Sequence, residues 1–232
     1  MLHLDNDRYT SIGALSERTN LNWPRRRKPK VSTEYAILSQ RGNKITIGAA
    51  PIGCPGSSLA HVLEILKDPS ITEVELLGWS SEQADAARPL LFALQKNRNL
   101  IKALFLNECN LPPIDLSTLS LDKFCYMQSE LSIHNANILC RTIPLHLKQL
   151  TLSYNPIGDE PLKIVSNLLG PDSLLEDLQL IRCEITDVGV TALAKALVHN
   201  RSLIKLAISA NLITDAGVVA LCSSLSSNPV LT

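Results

Sequence analysis

The sequence predicts an α/β solenoid, with short parallel strands forming a curved sheet on the inside and helices on the outside. Two observations carry this. The first is a duplication of period 28: LEDLQLIRCEITDVGVTALAKALVHNRS (Leu175–Ser202) is followed by LIKLAISANLITDAGVVALCSSLSSNPV (Leu203–Val230), with apolar residues in the same places and ITDxG at Ile185–Gly189 and Ile213–Gly217. Self-similarity at a fixed period of this size marks stacked repeats. The second is a change of hydrophobic period inside each copy. Leu178 and Leu180 flank Gln179, which is the alternation of a strand with one buried face. Val190, Leu193 and Leu197 then follow at helical spacing. Between the two, Thr186-Asp187 offers N-cap chemistry, and Asn200 and Arg201 close the helix. Helices are wider than strands, so a stack of such units must bend, with the strands lining the hollow.

Taken in order, residues 1–41 do not fit the repeat and read as an N-terminal leader or cap. A short helix is expected over 9–23. Pro24-Arg25-Arg26-Arg27-Lys28-Pro29-Lys30 places five positive charges in six residues, a solvated linker ahead of a nuclear-import or anion-binding signal. Glu34–Gln40 is expected as a strand over the open edge of the first repeat, since an uncapped end leaves core side chains wet. Residues 42–232 carry the pattern L-x-x-L-x-L-x-x-N-x-L about seven times, starting at Gly42, Ile71, Ile101, Leu121, Leu147, Leu175 and Leu203. Positions are counted below from these starts. The short unit Ile101–Ser120 has no room for a helix, and Pro112-Pro113 opposes one. The first repeat is loose but keeps Ile45, Ile47, Ile52 and Gly56 in register. Val230-Leu231-Thr232 opens an eighth repeat, so the chain reads as a fragment of a longer protein.

Composition narrows the function. Lys plus Arg (22) balances Asp plus Glu (22), so no net field attracts nucleic acid or a membrane surface. No apolar run reaches the roughly 18 residues of a membrane span. Asp5, Asp7, Arg8, Glu17 and Arg18 make the first twenty residues unlike a secretory signal. Six cysteines at 54, 109, 125, 140, 183 and 222, without C-x-x-C, read as reduced thiols in a cytoplasmic compartment, including that of a host cell reached by a signal-less route.

The pattern resembles the leucine-rich repeats of the ribonuclease-inhibitor subtype, from about Gly42 onward. In that family the ninth position is Asn or Cys and joins adjoining turns. It is Asn155, Asn211, Cys183 and Cys109 in this chain, with departures at Ala50, Trp79 and Ser129. The resemblance implies a right-handed solenoid that recognises proteins. Such scaffolds include enzyme inhibitors, nucleotide-sensing receptors, GTPase-activating proteins and leucine-rich effectors that bacteria inject into host cells.

The inner wall follows by arithmetic from positions 2, 3, 5, 7 and 8. Lys102, Asp122, Lys148 and Glu176 alternate in sign at position 2, and Lys44 lies beside Glu73 at position 3, charges expected to satisfy one another across strands. An apolar track is expected from Leu77, Phe105, Met127, Tyr154 and Ile181, with Glu75, Glu108, Gln179 and Arg182 as its polar rim. Aromatic residues, Met and Arg are enriched where proteins bind proteins, so these nine form the candidate partner-binding site. Trp79 reads as core or turn packing. No catalytic set, metal-ligand spacing, P-loop or dinucleotide motif is present, and Cys125 lacks an evident base. The expected function is therefore non-catalytic and cofactor-free: a scaffold that docks a folded protein on its hollow side and inhibits or regulates it. A GTPase-activating protein offering Arg182, or the sensor part of a larger receptor or ligase, are the alternatives.

Overall fold

The computed structural model describes residues 34–49, 57–97, 99–228 and 230–231; the expected helix over 9–23 and the basic run at 25–30 lie outside them. Among the described residues the order is β1 (Glu34–Arg41), β2 (Lys44–Ala49), β3 (Ser57–Ser58), α1 (Leu59–Ile65), β4 (Glu73–Leu77), α2 (Ala84–Lys96), β5 (Ala103–Asn107), β6 (Lys123–Met127), α3 (Ile133–Cys140), β7 (Gln149–Thr151), α4 (Asp159–Asn167), β8 (Asp177–Gln179), α5 (Asp187–Leu197), β9 (Lys205–Ala207) and α6 (Asp215–Leu225). One sheet runs β3-β1-β2-β4-β5-β6-β7-β8-β9. From β2 to β9 all pairs are parallel, and position 3 of every repeat lies in one row, from Lys44 through Glu73, Ala103, Lys123, Gln149 and Asp177 to Lys205. β1 pairs antiparallel with β2 on one side and β3 on the other. The chain is an α/β leucine-rich-repeat solenoid.

Burial follows the alternation. Position 4 (Ile45, Val74, Leu104, Phe124, Leu150, Leu178) and position 6 (Ile47, Leu76, Leu106, Tyr126, Leu152, Leu180) are at most 1% exposed. The helices close over them with stripes such as Val190, Leu193 and Leu197, all fully buried. Each such side chain contributes about 2 kcal/mol, so these rows are the main source of stability. In the short third unit the helix is replaced by an extended stretch and one 3-10 turn, Leu116–Thr118, which still buries Leu111, Ile114, Leu116 and Leu119.

Polar side chains then tie neighbouring repeats to one another at three heights. At position 9, Asn155 Nδ2 donates to Tyr126 O (2.7 Å), while its Oδ1 accepts from Ser129 N (3.0 Å) and Leu131 N (3.3 Å). Asn211 repeats this on Leu180 O, Cys183 N and Ile185 N. The thiols of Cys109 and Cys183 reach Leu76 O and Leu152 O. Trp79, the apparent departure, does the same job: its indole N–H donates to Ile47 O at 3.1 Å. Ser129 makes the tie through its oxygen: Oγ accepts from Cys109 N at 3.0 Å and donates to Met127 O of its own repeat at 2.6 Å.

At the helix starts, Thr186 and Thr214 cap their own helices, bonding Val188 N and Ala216 N. Asp187 is not a second cap. It accepts from the backbone N–H (2.8 Å) and hydroxyl of Thr214 in the next repeat, as Asp159 does from Thr186 and from Gly189 N. These bonds hold the Asp187 carboxyl below its ordinary pKa. A Cβ on Gly189 would fall on the Asp159 carboxylate, so the glycine of ITDxG serves a close approach between helices.

The third tie lies beyond the helix ends. α5 stops at Leu197, and Asn200 sits past it, fully buried. Asn200 Nδ2 donates to Leu169 O (3.3 Å), Asn97 Nδ2 to Leu66 O (3.0 Å), and Asn228 Nδ2 to Leu197 O (2.7 Å).

Candidate functional site: the helix-free face and its rim

The face of the sheet without helices presents positions 3, 5 and 7, and two groups of side chains stand out on it. The first lies over β2 to β6. The Glu75 carboxylate accepts from Lys44 Nζ (2.9 Å), Thr46 Oγ1 (2.8 Å) and Asn107 Nδ2 (2.5 Å). Lys44 Nζ also lies 4.6 Å from the centre of the Phe105 ring, a cation–π contact. Phe105 and Leu77 are half-buried. The expected pairing of Lys44 with its row neighbour Glu73 is thus replaced by a diagonal one to Glu75. Two residues on, Glu75 shares the outward face of β4 and is braced by Thr46 and Asn107. Of the position-2 charges, only Asp122 and Lys148 meet as an ion pair among the described residues, at 3.3 Å. Both are more than 40% exposed, so that pair adds little.

The second group is set by a turn the sequence does not announce. Position 8 takes positive φ in five repeats without glycine: Glu108 (54°), Gln128 (50°), Tyr154 (62°), Arg182 (54°) and Ala210 (56°), with Gly78 (71°) at the same place. Left-handed backbone at a non-glycine residue costs about 1 kcal/mol. Its recurrence shows a demand of the repeat: turned this way, the position-8 N–H of Glu108, Tyr154 and Arg182 bonds the position-7 carbonyl of the following repeat, as in Tyr154 N to Ile181 O at 2.7 Å. The side chains consequently stand out along one rim of the sheet, all five exposed. Tyr154 is 39% exposed, with the Arg182 guanidinium 5.9 Å from its ring centre and the half-buried Ile181 beside it. Gln179 lies one row in and bonds Asp177 at 3.2 Å. Glu108 is on the same rim.

Met127 is the exception among the nine candidates. It is only 9% exposed, not part of an open track. It sits on an inner strand of the sheet beside Asn107, and an unbranched flexible side chain settles between such neighbours. The structure therefore splits the expected track into a polar-centred group at Glu75–Phe105 and an aromatic–guanidinium group at Tyr154–Arg182.

Sequence reasoning missed Asn107, which lies at position 7 and is 7% exposed. Its alternation with Phe105 placed it on this face, but an Asn among apolar neighbours gave no further sign. Among the described residues no group of three or more His, Cys, Asp or Glu is placed to hold a metal ion. Burial, with Glu75 nearby, pushes the Cys125 thiol up to about 12. It is a neutral thiol at physiological pH, a poor nucleophile.

Cys109, Cys140 and Cys183 are raised to about 12 as well, chiefly by burial. At pH 8, iodoacetamide should therefore modify the exposed Cys222 first, the partly buried Cys125 more slowly, and the buried Cys109, Cys140 and Cys183 only upon unfolding, as read by mass spectrometry of timed samples. The linked stability is complete below the ordinary thiol value of 9.0 and is lost as pH rises toward about 12, because only the unfolded chain ionises in that window. The melting temperature should fall across that range.

A repeating strand–helix solenoid with an open sheet face and an exposed rim that carries Tyr154 and Arg182 is the architecture of a protein-recognition scaffold. The family described as "Leucine Rich repeat" matches residues 145–162, 173–194 and 199–222, which lie within the leucine-rich-repeat solenoid described above. Among similar proteins, human NACHT, LRR and PYD domains-containing protein 5 is 24% identical over 78% of this chain and 19% of its own length. Mouse NACHT, LRR and PYD domains-containing protein 4E is 36% identical over 55% of this chain and 12% of its own. Pig ribonuclease inhibitor is 33% identical over 55% of this chain and 26% of its own. The chain thus spans about a quarter or less of the length of these relatives. No described helix is long and apolar enough to cross a membrane.

Proposed function

We propose that the chain binds a folded protein through its helix-free face and rim, without catalysis, and inhibits or regulates it. The observation that carries this reading is the exposed Tyr154, backed by Arg182 and Ile181, on a backbone pinned to the next repeat. Tyr and Arg dominate the energetics of protein interfaces, and a rigid platform lowers the ordering cost of binding. Leu77, Phe105 and Glu75 extend the same surface, with Glu108 and Gln179 at its margin. A pig relative is by name an inhibitor of ribonuclease, which favours inhibition by covering an enzyme. The NACHT-containing relatives favour a second reading, in which this solenoid is the sensor segment of a larger receptor. The relatives named are mammalian, which favours both over an injected bacterial effector. Five free cysteines among the described residues fit a reducing cytoplasm.

Affinity capture with the intact chain and with Tyr154→Glu, read by mass spectrometry, tests the docking surface. A protein retained by the wild type should be lost from the variant. The melting temperature should stay within about 2 °C, because an exposed side chain contributes little to stability and Glu108 already occupies the same left-handed position in another repeat. Retention of the same proteins by both would remove the rim from the reading. Assay of the captured partner, alone and in complex, then separates inhibition from sensing.

A further inference from the structure

The Glu75 group is one hydrogen bond short. Asn107 is 7% exposed and spends its amide N–H on Glu75 Oε1, while its Oδ1 is buried without any partner. A buried amide oxygen in a folded protein is normally satisfied, and this one belongs to a side chain on the open face. The neighbouring cation does not reach it: Lys44 Nζ is shared between Glu75 and the Phe105 ring. The Lys44 side chain is 34% exposed, and a primary ammonium is strongly hydrated and readily returned to water.

We propose that Glu75, Asn107 and Phe105 form a subsite for an arginine side chain presented by the protein partner, with Lys44 holding the place in the free chain. A guanidinium has five N–H donors in a planar fork and a weakly hydrated face. It can bond the Glu75 carboxylate and Asn107 Oδ1 together while its face lies on Phe105, which an ammonium at Glu75 does not do. Lys44 and the unbranched Met127, both on this face, are the side chains that swing aside. Half-buried Leu77 and Phe105 keep bulk water off the new bonds, as the surround of an interface hot spot does. The subsite rests on the reading of this face as a protein-docking surface, but lies on different repeats from Tyr154 and is tested separately.

The probe is N-acetyl-arginine methylamide, titrated into the isotope-labelled chain and followed by NMR at the Asn107 side-chain amide and the β5 backbone. Saturable shifts at both are expected, with the isosteric N-acetyl-citrulline methylamide binding about tenfold more weakly because charge-assisted bonds are lost. Glu75→Gln, which keeps the shape and an acceptor, should weaken the arginine probe by a similar factor. Lys44→Ala should tighten it severalfold by removing the competitor, a gain that a purely structural cluster would not show. Tyr154→Glu should leave it unchanged. Absence of a saturable shift at Asn107, equal binding of citrulline, or weaker binding by Lys44→Ala would each overturn the subsite. Loss of capture by Tyr154→Glu would meanwhile still support the docking surface.

Discussion

Replacing Asn155 with Ala should destabilise the protein by about 4 kcal/mol, although the substitution removes only a small polar group. Asn155 is fully buried. Without it, the N–H groups of Ser129 and Leu131 and the carbonyl of Tyr126 lose the partner they have in the fold. Each buried group left unpaired costs about 1–3 kcal/mol. For a chain of this size that lowers the melting temperature by roughly 10 °C. Asn155→Asp should fall between, since it keeps two acceptor bonds and loses the donor. Asn155→Cys, the residue type used at 109 and 183, should recover the bond to Tyr126 O only. A loss below about 1 kcal/mol for Asn155→Ala, measured by denaturant unfolding, would show that the position-9 ties are not what holds the turns.

Trp79→Ala should cost about as much for a different reason. The indole is 1% exposed and is among the largest fully buried side chains. Truncating a buried aromatic leaves a cavity worth about 3–5 kcal/mol, and Ile47 O loses its 3.1 Å donor. Trp79→Asn separates the two effects. It restores the residue type of positions 155 and 211, and if the hydrogen bond were the whole role of Trp79 it would be nearly silent. The packing predicts a loss of about 3 kcal/mol instead. Because each repeat is stabilised by its neighbours, hydrogen exchange should accelerate in β2 and β4 well before α5. Uniform acceleration would contradict that locality.

The two substitutions show where sequence pattern was informative. Leu-x-x-Leu-x-Leu alternation placed all seven position-3 residues in one row of the sheet, even in the loose first repeat. A one-residue slip would have exposed Ile45 and Ile47, and burial of a whole row forbids it. The missing helix of the third unit was equally legible, because length and Pro112-Pro113 leave it no alternative. Trp79 looked like a break in the pattern because pattern compares residue names, whereas the turn requires only a donor that reaches Ile47 O. Asp187 looked like a cap because its partner, Thr214, is 27 positions away in sequence and adjacent only when the repeats stack.

The candidate site divides in the same way. Which residues lie on the open face was decided by local periodicity, since alternation in a strand is a property of the chain alone. How far each is exposed, and what it touches, was decided by stacking. The neighbours that bury Met127, brace Glu75 and leave Asn107 Oδ1 unpaired come from other repeats. The left-handed turn that lifts Tyr154 and Arg182 onto the rim is likewise paid back by hydrogen bonds to the next repeat, so no single stretch of sequence encodes it.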